Sequence, residues 1–199
     1  MFTSVRFVGT VAVGFGLGLV ATAQQGTPGT NVNPTVAAVI KLADNLDRPD
    51  VSLQAKKMVE ELDACAMSLV FTLKRPRGGG VGIGSAVKAG HKDSIEDLVR
   101  NWSGPRPPTR EELQTHRKDL LRAARVMQAM AELAPFRVHI YVPKQNEKQV
   151  VEWRKVSAEF KVVTRALRDG IEKTEPAETR KAAVRLQRTC SSCHQLVGL

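Results

Sequence analysis

Apolar side chains recur along this chain at alternating steps of three and four residues, the period that gathers them on one face of a helix. Val36, Val39, Ile40, Ala43 and Leu46 form the first such run and predict a short amphipathic helix over 34–47. It ends at Arg48-Pro49, because the residue before a proline is pushed out of the helical region. Met58, Leu62, Cys65, Leu69 and Thr72 continue the pattern and predict a second helix over 50–74, with Lys56, Lys57, Glu60 and Glu61 to the side. Six glycines between Gly78 and Gly90 each cost about 1 kcal/mol relative to alanine in a helix interior, so this stretch is expected to be a long connection. Ile95, Leu98, Val99 and Trp102 mark a short helix over 91–102, stopped by Gly104-Pro105 and Pro107-Pro108.

Thr109 is suited to cap the next helix, with Glu112 three residues on as its capping-box partner. That helix is expected to run to about Leu133, with Leu113, Leu120, Ala124, Met127 and Ala131 inward and Pro135 behind its end. An extended connector over Phe136 to Pro143 leads to a helix over 146–169, where Trp153, Val156, Phe160, Val163 and Leu167 repeat and Gly170 is placed to cap. The last helix spans 176–197 with Ala183, Leu186, Cys190, Cys193 and Val197 on one stripe. Four major amphipathic helices starting near 50, 110, 146 and 176 each need an apolar partner. The expected fold is therefore all-α: an antiparallel four-helix bundle with an extra N-terminal helix and a glycine-rich inserted loop.

The N-terminus has a different character. Met1 to Arg6 is a short basic region, Phe7 to Val20 is apolar, and Ala21-Thr22-Ala23 offers the small residues of a signal-peptidase site. Residues 1–23 read as a signal peptide, 24–33 as a flexible leader, and 34–199 as the helical domain, exported to the periplasm or an equivalent compartment. Membrane association follows only if the leader is retained. Lys and Arg number 30 against 20 Asp and Glu, a net charge of +10, which favours acidic partners or anionic surfaces. The cations are scattered, aromatic residues are few and no nucleic-acid motif is present, so nucleic acid is not an expected partner. The glycine run lacks the Gly-Lys-Ser/Thr ending of a phosphate loop.

The chemistry concentrates in Cys190-Ser191-Ser192-Cys193-His194, a CxxCH sequence. Two thiols at this spacing can form thioethers to the two vinyl groups of one porphyrin while the adjacent imidazole reaches the iron, the pattern of c-type haem attachment. The rival readings are a redox dithiol, which would follow a strand and open a helix, and a zinc site, which would need a fourth ligand such as Cys65 or another histidine. No acid, base and nucleophile constellation points to an enzyme.

With this motif on a last helix, the chain resembles the cytochrome c prime and cytochrome c556 group, the class II c-type cytochromes, over roughly residues 50 to 199. The resemblance implies a four-helix bundle with one covalent haem c at Cys190 and Cys193, His194 as proximal iron ligand, and any sixth ligand on the first bundle helix. It implies electron transfer with redox partner proteins, or small-gas binding at a vacant distal site. A helical structural or metal-binding protein without haem is the remaining alternative. The extra first helix, the glycine-rich insertion, the third cysteine Cys65 and the lack of a basic residue after His194 depart from the group's pattern.

On the distal side, Met58 lies about two turns into the helix beginning near 50, on its inward stripe, and is the expected metal ligand if one exists. Met67 lies deeper and off that stripe. His91, His116 and His139 are third choices, each read as a surface or packing residue. Cys65 is expected to be buried, and Arg180, Lys181, Arg185 and Arg188 either meet haem propionates or an acidic partner, or solvate the outer face of the last helix. The helix faces are also compatible with a homodimer.

Overall fold

The computed structural model describes residues 33–63, 67–74, 79–138 and 146–198, and these contain helices and turns but no strand. The chain is all-α. The proposed signal peptide and nearly all of the leader, together with Cys65 and His139, lie outside the described residues.

Helix α1 spans Pro34–Asp44, opened by Asn33, whose side chain accepts from the Thr35 amide at 2.9 Å. Val36, Val39 and Ala43 are buried as the spacing predicts, whereas Ile40 and Leu46 are only partly buried and Leu42, off the expected stripe, is buried as well. Helix α2, Val51–Glu61, is shorter than the expected 50–74. Leu62 turns extended, and its carbonyl accepts from the buried Arg137 guanidinium at 2.7 Å. Beyond it the chain does not resume a long helix: the Val81 amide donates to the Val70 carbonyl at 3.2 Å and the Glu96 amide to the Phe71 carbonyl at 3.0 Å. These long-range partners take carbonyls that a continuing helix would have used.

The glycine-rich insertion is built into the core. Val81, Ile83 and Ala86 are buried, and a 3-10 turn forms over Gly84–Ala89. Gly82 and Gly84 sit at φ +76 and +58, where a Cβ would stand 2.5 Å from the Asp93 carboxylate and 2.6 Å from that of Asp119. Helix α3, Ile95–Ser103, starts later than expected, with Ser94 as N-cap accepting from the Asp97 amide. It buries Ile95, Leu98, Val99 and Trp102, each burial contributing about 1.5–3 kcal/mol.

The expected single helix over 109–133 is two: α4, Arg110–Thr115, and α5, Arg117–Leu133, broken at His116. Ser85 of the insertion holds the His116 ring, Oγ to Nδ1 at 3.1 Å. Thr109 caps α4 through the Glu112 amide, but the Glu112 carboxylate does not close a capping box, because His91 and Trp102 claim it. A 3-10 turn over Ala134–Arg137 stands where an extended connector was expected to begin.

Helix α6 spans Glu147–Glu172 and α7 spans Pro176–Val197. Gly170 is therefore inside α6 and does not cap it. It marks the tight approach to α7: a Cβ there would lie 2.7 Å from the Thr179 hydroxyl and 3.0 Å from its amide nitrogen. The turn is made by Thr174 at φ +56. Helices α5, α6 and α7 pack antiparallel in sequence, with Arg117 reaching the Glu172 carbonyl and Glu159 pairing with Arg185. Helices α1 and α2 lie on α5, whereas α3 lies on α7. The sequence expectation had put the helix beginning near 50 beside the last one.

Candidate functional site

Helix α7 places Cys190, Cys193 and His194 in its last two turns, closed by Gly198 at φ +73, whose amide donates to the His194 carbonyl. Four residues advance an α-helix by about 400°, so His194 projects within about 40° of Cys190 and one turn beyond it. Both cysteines are free thiols and partly buried. Cys190 packs on the main core, while Cys193 packs on a separate cluster of Val138, Trp153, Val150 and Val197. His194 is exposed, and its side chain makes no hydrogen bond within the described residues.

The thiols are held neutral. Burial pushes Cys190 up to about 11, with Cys193 and the carboxylate of Glu96 on α3 adding to the rise, and burial alone pushes Cys193 up to about 11. A redox dithiol needs the opposite, a thiolate favoured by a helix N-terminus or a nearby cation. A zinc site needs converging ligands, and among the described residues no three of His, Cys, Asp and Glu come together to hold a metal. Two uncharged sulfurs one turn apart against apolar neighbours do fit thioether attachment, since a thioether carries neither charge nor a proton to satisfy. The uncommitted imidazole beside them fits an axial ligand.

Two segments frame this end of the molecule. Trp153 donates from Nε1 to the Ala134 carbonyl at 2.9 Å, which fixes the indole against Cys193's cluster. Arg137, 1% exposed, precedes Val138 of that cluster and holds the Leu62 carbonyl. On the other side, the Phe71 carbonyl accepts from the Glu96 amide at 3.0 Å and from the Ser94 hydroxyl at 2.8 Å, and Glu96 is the carboxylate felt by Cys190. Leu62 is thus tied to the residue before Val138, and Phe71 to the residue whose carboxylate acts on Cys190. Met67, buried at 5% exposure, lies on the segment between Leu62 and Phe71. Met58 is half-buried on α2, whose main neighbours are α1, α5 and the turn at Ala134–Arg137.

His91 and His116 are packing residues. Asn101 donates from Nδ2 to Asp97 at 3.0 Å, which orients its amide toward His91 Nδ1 at 3.0 Å, leaving His91 Nε2 to donate to Glu112 at 2.9 Å. The Trp102 indole donates to the same Glu112 oxygen at 3.0 Å. These two bonds outweigh burial and hold the Glu112 carboxyl below its ordinary value. Arg185 pairs with Glu159 at 2.7 Å and Lys181 with Glu178 at 3.7 Å, while Arg180 and Arg188 lie on exposed positions of the same helix.

Sequence reasoning passed over Arg137, Val138 and Glu96 as parts of this end of the molecule. Only the proline before Arg137 signalled a turn there, and nothing local signals that two later elements return to it. No family model, curated protein or solved structure matches this chain. Among the described residues no helix is long and apolar enough to cross a membrane.

Proposed function

We propose that this chain is an exported monohaem c-type cytochrome acting in electron transfer, with one haem c attached at Cys190 and Cys193 and His194 as the proximal iron ligand. The observation that carries the reading is the pair of neutral, apolar-packed thiols at the spacing of CxxCH, beside an imidazole with no other engagement. Each S–H adds across one vinyl group, so the sulfurs remain uncharged in surroundings that penalise charge. Bound haem supplies a one-electron iron couple.

The bundle belongs to the same proposal. Helices α5, α6 and α7 supply three positions of a four-helix frame, and we read the fourth as divided between α2, lying on α5, and α3, lying on α7. This division changes the distal expectation. Met67, buried in the core against which Cys190 packs, competes with Met58 for the sixth position. Ligation by either thioether favours a raised potential and electron transfer. The basic chain favours acidic redox partners.

The test is the absorption spectrum of protein made with cytochrome c maturation machinery, ferric and dithionite-reduced, then with carbon monoxide. Sharp reduced bands unmoved by carbon monoxide are the expected result. A high-spin spectrum that shifts with carbon monoxide would replace electron transfer by gas binding at an open site. Absence of covalent haem would return the chain to the structural or metal-binding reading.

A further inference from the structure

At the other end of α5 a groove of about 570 Å³ runs between α1 and α5, within the size range of functional clefts. Ile40, Ala43, Leu121 and Val126 give it an apolar floor. Its rim is cationic: Arg117, Lys118, Arg122 and Arg125 line it against the single carboxylate of Asp44. Two of these cations are engaged. Arg125 donates to the Ala43 carbonyl at 3.0 Å and pairs with Asp47 at 3.0 Å, and Arg117 donates to the Glu172 carbonyl at 3.2 Å. Lys118 and Arg122 are exposed and form no ion pair within the described residues. Asp119 lies near both, but its carboxylate accepts from the Ser85 amide at 2.8 Å.

We infer that this groove is a docking site for an acidic amphipathic segment of another protein. Lys118 and Arg122 stand four residues apart, about 6 Å along α5, and Arg125, already paired with Asp47, follows three residues on. Cations repeated at helical period match carboxylates repeated at the same period better than they match one headgroup. The apolar floor then takes the segment's apolar face. The occupant is not the chain's own N-terminal part, since no Asp or Glu precedes Asp44. A second copy is disfavoured by a net charge of +10 on each. No lining residue is aromatic, so nothing there offers a stacking platform for nucleic-acid bases.

The groove is remote from the CxxCH end. Lys118 and Leu133 are separated by about 22 Å along α5, and the turn after Leu133 leads to the cluster that holds Cys193. The site therefore anchors a partner without covering the cysteines.

The test uses the full mature chain, with and without haem, and a fluorescein-labelled helical peptide carrying Glu at every third and fourth position beside a Leu stripe. Lys118→Glu/Arg122→Glu is expected to weaken binding at low salt at least about tenfold. Lys56→Glu/Lys57→Glu, the same charge change on exposed positions of α2, leaves it unchanged. Equal weakening by both pairs, or no binding by the wild type, overturns the proposal. Tighter binding of tripolyphosphate or phosphatidylglycerol vesicles with the same Lys118 and Arg122 dependence also overturns it, in favour of a phosphate-bearing ligand. Peptide binding is read by anisotropy and haem attachment by absorbance, so either claim can fail alone.

Discussion

Cys190 and Cys193 stand one turn apart on the last helix, yet they are packed into different apolar clusters, the first on the main core and the second on Trp153 and Val138. Each sulfur is thus fixed by its own set of neighbours. Because burial raises both thiols to about 11, haem-free protein should react slowly with iodoacetamide at neutral pH and faster as pH approaches 11. The unfolded thiols ionise near 9.0, so the folded state holds more protons between the two values. Stability should therefore be full below 9.0 and fall as pH rises through about 11. Thioethers do not ionise, so chemical denaturation of haem-loaded protein should lack this alkaline loss.

Glu112 anchors the insertion and α3 through two buried donors, His91 Nε2 and Trp102 Nε1. Glu112→Ala leaves both without their acceptor and should cost about 2–5 kcal/mol in urea unfolding. Since the folded carboxyl titrates below its ordinary 4.5, its contribution is present above 4.5 and lost as pH falls through the lower, folded value. Trp102 fluorescence should change over that acid range in the wild type, and Glu112→Gln should remove the transition.

The α6–α7 turn gives a paired prediction of opposite sign. Gly170→Ala drives a methyl group to 3.0 Å from the Thr179 amide nitrogen and should destabilise by about 1–3 kcal/mol. Thr174→Gly relieves a left-handed conformation at φ +56 and should gain up to about 1 kcal/mol. Thermal unfolding of the two variants distinguishes this turn from one in which Gly170 caps α6, where alanine would be penalised by its own backbone angle.

The methionines separate by spectrum. If Met67 takes the sixth position, Met67→Ala converts the haem-loaded protein to a form that binds carbon monoxide and Met58→Ala leaves the reduced bands in place. The reverse result would put the sixth ligand on α2, and no effect of either variant would mean that neither methionine ligates iron.

Much of this was written locally in the sequence. Apolar spacing located α1, α6 and α7 to within a few residues, because each follows an uninterrupted three-and-four pattern. The breaks were not legible, because the groups that meet the chain there lie far along it: Arg137 takes the Leu62 carbonyl where α2 ends, and Ser85 holds the ring of His116 where the helix divides. Gly170 read as a cap because a glycine after a helical run commonly is one, and only the approach of Thr179 reveals its packing role. At the site, the haem proposal starts from CxxCH, which is read from the sequence alone. Its frame was hidden, since Arg137, Val138 and Glu96 reach it only through tertiary packing.

The central claim is covalent haem at one pair of cysteines, and intact-mass spectrometry of protein matured with cytochrome c machinery measures it directly. The wild type should gain the mass of one haem, carried after proteolysis on the peptide containing Cys190 and Cys193, and the double variant Cys190→Ser/Cys193→Ser should gain none. A wild-type mass without haem, with both thiols still open to alkylation, would contradict the account.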